Sequence, residues 1–213
     1  MTRSQRDWYA WHTPYDDDAS PLARRLRLVQ AHIRTWLDSR PGEPVAVVSA
    51  CAGQGRDLVG VLAGRSDADR VRAWLLEGDE RNAAAAEAAT QAAGLAQVVV
   101  RRADAGAVDA YLGAVPADLV LMCGVFGSIG DTDVRRTVGG LRQLCAPGAT
   151  VVWTRSRRPP DLTPDIRRWF DGCGFAEVTF DAPADALHSV GVHRLVAEPQ
   201  APVPGRVLFR FLT

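Results

Sequence analysis

Five short apolar runs set the tightest limit on what this chain can fold into. They fall at 45–49, 71–76, 98–100, 119–123 and 150–154, and helical stretches lie near 57–63, 82–93, 132–145 and 161–172. None of the runs alternates polar with apolar residues, so each strand is expected to be covered on both faces. Apolar strands followed by helices specify a mostly parallel sheet between helical layers, a doubly wound α/β arrangement. The ending differs. Two β-rich pieces at 176–180 and 207–212 have only a long loop between them, which predicts an antiparallel last strand. Ahead of the first run, Leu22, Leu26, Val29, Ile33 and Leu37 recur at three- and four-residue steps, predicting an amphipathic helix over 21–37. Ser20 suits its N-cap and Pro21 its first position. No repeat or linker divides the chain. It reads as one domain, with an N-terminal arm and helix over 1–44 and the α/β unit over 45–213.

Charge narrows the function classes. Cationic and acidic residues number 25 each and every cation is an arginine, so net charge is zero and lysine chemistry is absent. No Schiff base and no P-loop lysine is available. A neutral chain also lacks the footprint of a protein that binds nucleic acid chiefly through its phosphates, so DNA is excluded as a partner and RNA is unsupported. The arginine bias reads as the coding habit of a GC-rich bacterial genome. Cys51, Cys123, Cys145 and Cys173 lie far apart without a CxxC pair, which predicts reduced thiols and no metal site. With no leader-like apolar segment and no window approaching 18 apolar residues, the expectation is a cytoplasmic protein without a membrane partner.

Ligands of such sheets bind beyond the carboxyl ends of the strands, where strand order reverses. The loop after the first strand reads Ser49-Ala50-Cys51-Ala52-Gly53-Gln54-Gly55-Arg56-Asp57. Gly53 and Gly55 permit a tight turn and close backbone approach, and the helix that follows offers free N–H groups, unless Asp57 caps them. The second strand ends in Glu77-Gly78-Asp79, with Glu77 22 residues after Gly55. A carboxylate there can accept from vicinal ribose hydroxyls; Asp79 reads as a helix cap, and the reverse assignment stays open. Asp104, just past the third strand, suits either an exocyclic amine or a turn. The fourth strand opens into Cys123-Gly124-Val125-Phe126-Gly127-Ser128-Ile129-Gly130, a glycine-rich loop at the same edge.

These features, in this order, resemble the class I S-adenosylmethionine-dependent methyltransferases, over roughly residues 45–213. The resemblance implies a Rossmann-like sheet and S-adenosylmethionine as cofactor, with S-adenosylhomocysteine as product. By position it implies cofactor contacts at Cys51, Gly53, Gln54 and Gly55, at Glu77 and Gly78, at Asp104 and Ala105, and at Cys123 and Gly124. The segments 144–150 and 169–175 look like the family's approaches to its fifth and sixth strands. Two positions depart from it: Ser49 stands where the family keeps an acid for the cofactor's ammonium group, and Cys51 where it keeps a first glycine. Asp57 is a candidate substitute for the missing acid. A nicotinamide-dependent Rossmann enzyme is the competing fold reading, but Asp57 stands where its third glycine belongs.

No Asp/Asn-Pro-Pro-Tyr/Phe sequence follows the fourth strand, which argues against DNA adenine as acceptor. Trp8, Tyr9, Trp11, His12 and Tyr15 concentrate aromatic rings in the arm. They suit either a lid that shields a sulfonium by cation–π contact or a clasp that pins the arm. His12 and His193 are candidate bases near neutral pH, His188 and His193 being expected in the loop between the last two strands. Trp8, Trp11, Tyr15, Phe126 and Arg155 are candidate acceptor contacts, Arg155 as a bidentate partner for a carboxylate. A chain with little beyond the core fold suits a small-molecule acceptor, a secondary metabolite for example. An RNA or protein methyltransferase, and a non-catalytic cofactor-binding partner protein, are the alternatives.

Overall fold

Successive residues of the apolar runs point to opposite faces of one sheet, and in the central strands both faces are buried, whereas Val99 of the third run is exposed at the sheet's edge. In β1 (Val45–Ala50), Val47 packs on one side and Val48 on the other; Leu75 and Leu76 of β2 (Val71–Glu77) and Leu119 and Val120 of β4 (Ala117–Met122) divide in the same way. That two-sided burial is what a run without alternation requires. The computed structural model of the chain describes residues 7–212. Its remaining strands are β3 (Val98–Arg102), β5 (Cys145–Ser156), β6 (Phe175–Asp181) and β7 (His188–Leu195). The sheet runs in the order β3-β2-β1-β4-β5-β7-β6. β1 to β5 pair in parallel, and β7 lies antiparallel between β5 and β6. Strand order reverses at β1, whose neighbours are β2 and β4.

Helices α1 (Pro21–Asp38), α2 (Leu58–Leu62), α3 (Glu80–Ala92), α4 (Asp131–Gly140) and α5 (Thr163–Gly172) cover the sheet. α1 starts where its sequence says. Ser20 Oγ accepts from Ala23 N–H at 3.0 Å, and Pro21 occupies the first turn. Its buried stripe of Val29, Ile33, Trp36 and Leu37 packs on the face that carries Val47 and Leu121, and Trp36 Nε1–H donates to Thr150 Oγ1 at 3.0 Å. The opposite face is aromatic. Trp153, Phe126, Phe170 and Phe175 form one cluster there, with Trp153 stacked on Phe170 at 5.9 Å between ring centroids. Among the described residues no helix is long and apolar enough to cross a membrane.

The antiparallel strand is present, but not where the sequence pattern put it. Residues 207–212 make only two isolated bridges, Ala107 with Val207 and Ile129 with Phe211, and run as a strap across the loops after β3 and β4. The sheet's antiparallel strand is β7, in a stretch expected to be a loop; Gly191 and two histidines interrupt its apolar pattern. The interruption has a tertiary cause. A Cβ on Gly191 would lie 2.3 Å from Cε2 of Trp153, so glycine leaves space for the indole on the adjacent strand. His193 is 1% exposed and stacks on Phe170 at 4.3 Å, taking the place of an aromatic core residue.

Candidate functional site

The glycine loop turns on three left-handed residues at alternate positions: Cys51 at φ +52°, Gly53 at +57° and Gly55 at +71°. Cys51 thus holds a conformation that favours glycine, at a cost of about 1–2 kcal/mol. The turn brings Ala52 N–H to Leu76 O and Gly55 N–H to Ala52 O, both at 2.9 Å. Gly55 lies beneath the loop, where a Cβ would stand 3.1 Å from both Leu75 Cδ1 and Val59 Cγ2; its role is to let α2 pack against β2. α2 is only five residues long and Asp57 already caps it, accepting from Leu58 N–H at 2.7 Å. Its N-terminus is therefore not an open anion site.

Glu77 ties this loop to the next one. Oε2 accepts from Gly53 N–H and Oε1 from Asp79 N–H, each at 2.7 Å, and the side chain is 8% exposed. Burial raises its pKa against the opposing pull of those two bonds. Each carboxylate oxygen keeps a second lone pair for a ligand. Asp79 caps α3 through Asn82 N–H at 3.0 Å, as its position implied. Asp104 accepts from Gly106 N–H at 2.8 Å, so it is a turn residue and a cavity residue at once. At the end of β4, Gly124 N–H donates to Thr154 Oγ1 at 2.8 Å, which holds the β4 loop against β5. Burial pushes the thiols of Cys51 and Cys123 well up, so neither is a thiolate at neutral pH.

A cavity of about 690 Å³ opens above these strand ends, at the topological switch point and of a size typical for a small-molecule site. Cys51, Gly53, Gln54, Glu77, Gly78, Asp104, Ala105, Cys123 and Gly124 line it, and so do Trp8, Trp11, His12 and Tyr15 of the arm. The arm forms a 3-10 helix over Ala10–Asp16 with no buried residue. It is fastened by surface contacts: Asp16 pairs with Arg56 at 2.8 Å, Asp7 pairs with Arg81, and the Arg81 guanidinium lies 5.0 Å from the Tyr9 ring. His12 presses on the glycine loop, where a Cβ on Gly53 would stand 2.2 Å from its Nε2. His12 Nδ1 is 2.8 Å from Trp8 O. A carbonyl can only accept, so Nδ1 carries the proton and Nε2 offers a lone pair. Desolvation lowers the pKa of His12, keeping it neutral at pH 7.

Four residues expected here lie elsewhere, the first being Gly55, which sits beneath the loop and not on the cavity wall. Phe126 is fully buried in the aromatic cluster with Trp153 and Phe170. Arg155 leaves β5 at the correct edge, but it donates to Phe126 O and pairs with Asp131 at 3.2 Å, so its guanidinium braces the β4 loop. His193 is no loop histidine. It sits within β7, accepts from Trp153 Nε1–H at 3.1 Å, and has its pKa pushed down to about 4 by burial. Ser49 is 1% exposed inside β1 and is not part of the cavity wall. Two wall residues gave no sequence signal as such. Arg25 belongs to an arginine pair that reads as a solvated helix face. Phe211 comes from the strap and meets Trp8 at 5.5 Å between ring centroids, so arm and strap together roof the cavity.

No protein-family model matches the chain, and no curated protein matches it in sequence. Solved structures do. Magnesium protoporphyrin IX methyltransferase (ChlM) from Synechocystis PCC 6803, with bound SAM, superimposes with a TM-score of 0.66 at 13% identity, covering 91% of this chain and 100% of that one. The CurJ carbon methyltransferase gives 0.69 at 13% identity over 88% of this chain and 58% of its own. An O-methyltransferase family protein from Burkholderia thailandensis gives 0.61 at 16% identity over 81% of this chain. The chain spans 57% of the length of that protein. At these identities the likeness is one of fold. The chain has the Rossmann-like fold of S-adenosylmethionine-dependent methyltransferases, a seven-stranded, mostly parallel sheet with one strand reversed.

Proposed function

We propose that the protein is an S-adenosylmethionine-dependent methyltransferase acting on a small molecule. The observation that carries the reading is Glu77: a buried carboxylate at the second strand end, fixed by two backbone N–H groups and facing a cavity at the switch point. It supplies two acceptor oxygens where a ribose would need them. Asp104 stands farther along the same wall, with Cys51, Gly53, Gln54 and Gly78 beside Glu77 and Cys123 and Gly124 at the other end. These residues fit the cofactor and would hold it. When bound, S-adenosylmethionine supplies a sulfonium methyl group for in-line displacement, a reaction whose leaving group needs no activation.

The chain's own contribution is then positioning and exclusion of water. Trp8, Trp11, Tyr15 and Phe211 enclose the site and present ring faces suited to a cation. His12, neutral and with Nε2 free to accept, is the base for an acceptor that must lose a proton. A roof closed by arm and strap favours a small acceptor over a polymer. Titration calorimetry with S-adenosylmethionine and S-adenosylhomocysteine tests the reading. Micromolar binding of both is expected; no heat with either at several hundred micromolar would overturn it.

A further inference from the structure

Three arginines line the cavity, and two of them are ion-paired. Arg56 pairs with Asp16 at 2.8 Å and Arg102 with Glu80 at 3.3 Å. Arg25, which reaches in from α1, has no carboxylate within 4 Å among the described residues; its neighbours on the helix, Arg24 and Arg27, pair with Asp185 and Asp18. The partner of Arg25 is a phenol. Its Nη2 donates to the Tyr15 hydroxyl at 2.5 Å, and its guanidinium lies 5.8 Å from the Trp11 ring. A hydroxyl that accepts from an arginine keeps its own hydrogen to donate, and burial holds Tyr15 protonated. Arg25 and Tyr15 therefore offer N–H and O–H groups to one anion. The same two rings reach His12, whose imidazole lies 5.2 Å from the Trp11 ring and 5.7 Å from that of Tyr15, centroid to centroid. Cation and base thus flank one aromatic pair on the cavity wall.

We propose that the methyl acceptor is a flat, hydroxylated carboxylic acid, its carboxylate taken by Arg25 and Tyr15, its ring laid against Trp11 and its hydroxyl directed at His12 Nε2. This acceptor class rests on the reading above, which leaves the acceptor open. Each part of it answers one part of the wall. A guanidinium fork matches a carboxylate in both geometry and charge. The rings of Trp8, Trp11, Tyr15 and Phe211 favour a planar molecule that stacks over a bulky, saturated one. His12, with Nε2 free to accept, calls for an acceptor with a proton to lose. That proton passes from the hydroxyl to Nε2, the oxygen's electron pair forms the bond to the methyl carbon, and the pair of the broken C–S bond stays on sulfur. Arg25 so takes the part expected of Arg155, whose guanidinium braces the β4 loop.

Full-length protein saturated with S-adenosylhomocysteine is titrated calorimetrically with 3- and 4-hydroxybenzoate and with their methyl esters, which keep ring and hydroxyl but lack the charge. At least one acid is expected to bind about tenfold or more tightly than its ester. Arg25→Gln should weaken that acid about tenfold or more, and both the ester and S-adenosylhomocysteine less than about twofold, in line with a charge-assisted hydrogen bond. Glutamine is a good helix former, so this variant should fold. Tyr15→Phe keeps the ring and removes one O–H, and should weaken the acid about fivefold. With S-adenosylmethionine the methyl group should appear on the acid's hydroxyl, and His12→Gln should lower kcat about a hundredfold with KM for the acid nearly unchanged. Acids that bind no better than their esters, or not at all, overturn the acceptor class and leave the cofactor reading standing. An Arg25→Gln loss that falls on S-adenosylhomocysteine assigns Arg25 to the cofactor and also overturns it, as does a methyl group found on the carboxylate. No binding of S-adenosylhomocysteine by wild type removes the cofactor reading itself.

Discussion

One end of the cavity is built from backbone and the other from side chains. At the β2–β3 end, Glu77 is held by N–H groups of two adjacent loops and Asp104 by the N–H of Gly106, all of them continuous with the sheet. At the β4–α1 end, Arg25, Tyr15, Trp11 and Phe211 come from a helix, the arm ahead of it and a distant strap, and the arm is fastened by exposed ion pairs. Such pairs contribute about 0–1 kcal/mol each. The contrast teaches that the first end is formed whenever the sheet is formed, while the second can adjust to its occupant. On the proposed function, specificity for the acceptor would belong at the second.

The sharpest way to break this contrast is Glu77→Ala. It strands one buried and one half-buried N–H group, at about 1–3 kcal/mol for the buried one, and should weaken S-adenosylhomocysteine and 5′-methylthioadenosine together by about a hundredfold or more. Calorimetry showing methylthioadenosine unaffected would move the ribose contact away from the β2 end. Next in size is a control remote from both ends. The pKa of His193 falls from 6.5 to about 4 on folding, so between those values the unfolded chain binds a proton that the native state refuses. Stability should therefore fall as pH drops through this window, by about 3 kcal/mol at one pH unit per 1.36 kcal/mol. His12 and His188 are shifted the same way and add to the slope. Denaturant melts of wild type and His193→Leu at pH 7 and 4.5 check it, the variant showing a shallower fall and ligand binding unchanged at pH 7.

Removing residues 1–18 addresses the other end directly. Loss of the arm should weaken S-adenosylhomocysteine about tenfold, because Trp8, Trp11, His12 and Tyr15 leave the cavity wall, yet leave the melting temperature nearly constant. A chain that no longer folds would make the arm a structural clasp. The smallest effect expected is at Cys51→Gly. Relief of the left-handed strain, about 1 kcal/mol, offsets the loss of a small packed side chain, so thermal unfolding should shift by only a few degrees and binding should hold.

What could be read from sequence follows the same division. The glycine loop, Glu77, Asp79 and the Ser20 cap are settled by contacts within a few residues or between neighbouring strand ends, so spacing alone locates them. β7 escaped because its pattern answers to partners elsewhere: Gly191 to the Trp153 indole and His193 to Phe170. Arg25 escaped because an arginine on an amphipathic helix looks the same whether water or a cavity lies beyond it. Arg155 and Phe126 were at the correct sheet edge, but one is spent on Phe126 O and Asp131 and the other is turned into the core. Edge can be inferred from topology; the direction a side chain takes there depends on what it meets.

The seating of β7 has a consequence for how this molecule is made. A strand synthesised after β6 occupies the place between β5 and β6, so the sheet's last third closes inward instead of growing at its rim. Until residue 195 has left the ribosome, β5 presents an unpaired edge and the Trp153 indole has no Gly191 to cover it. Unpaired edges are templates for association. The nascent chain is therefore most vulnerable while its cavity floor is already complete, and a chaperone that shields β5 would protect a half-built protein in which the strands forming that floor are already in place.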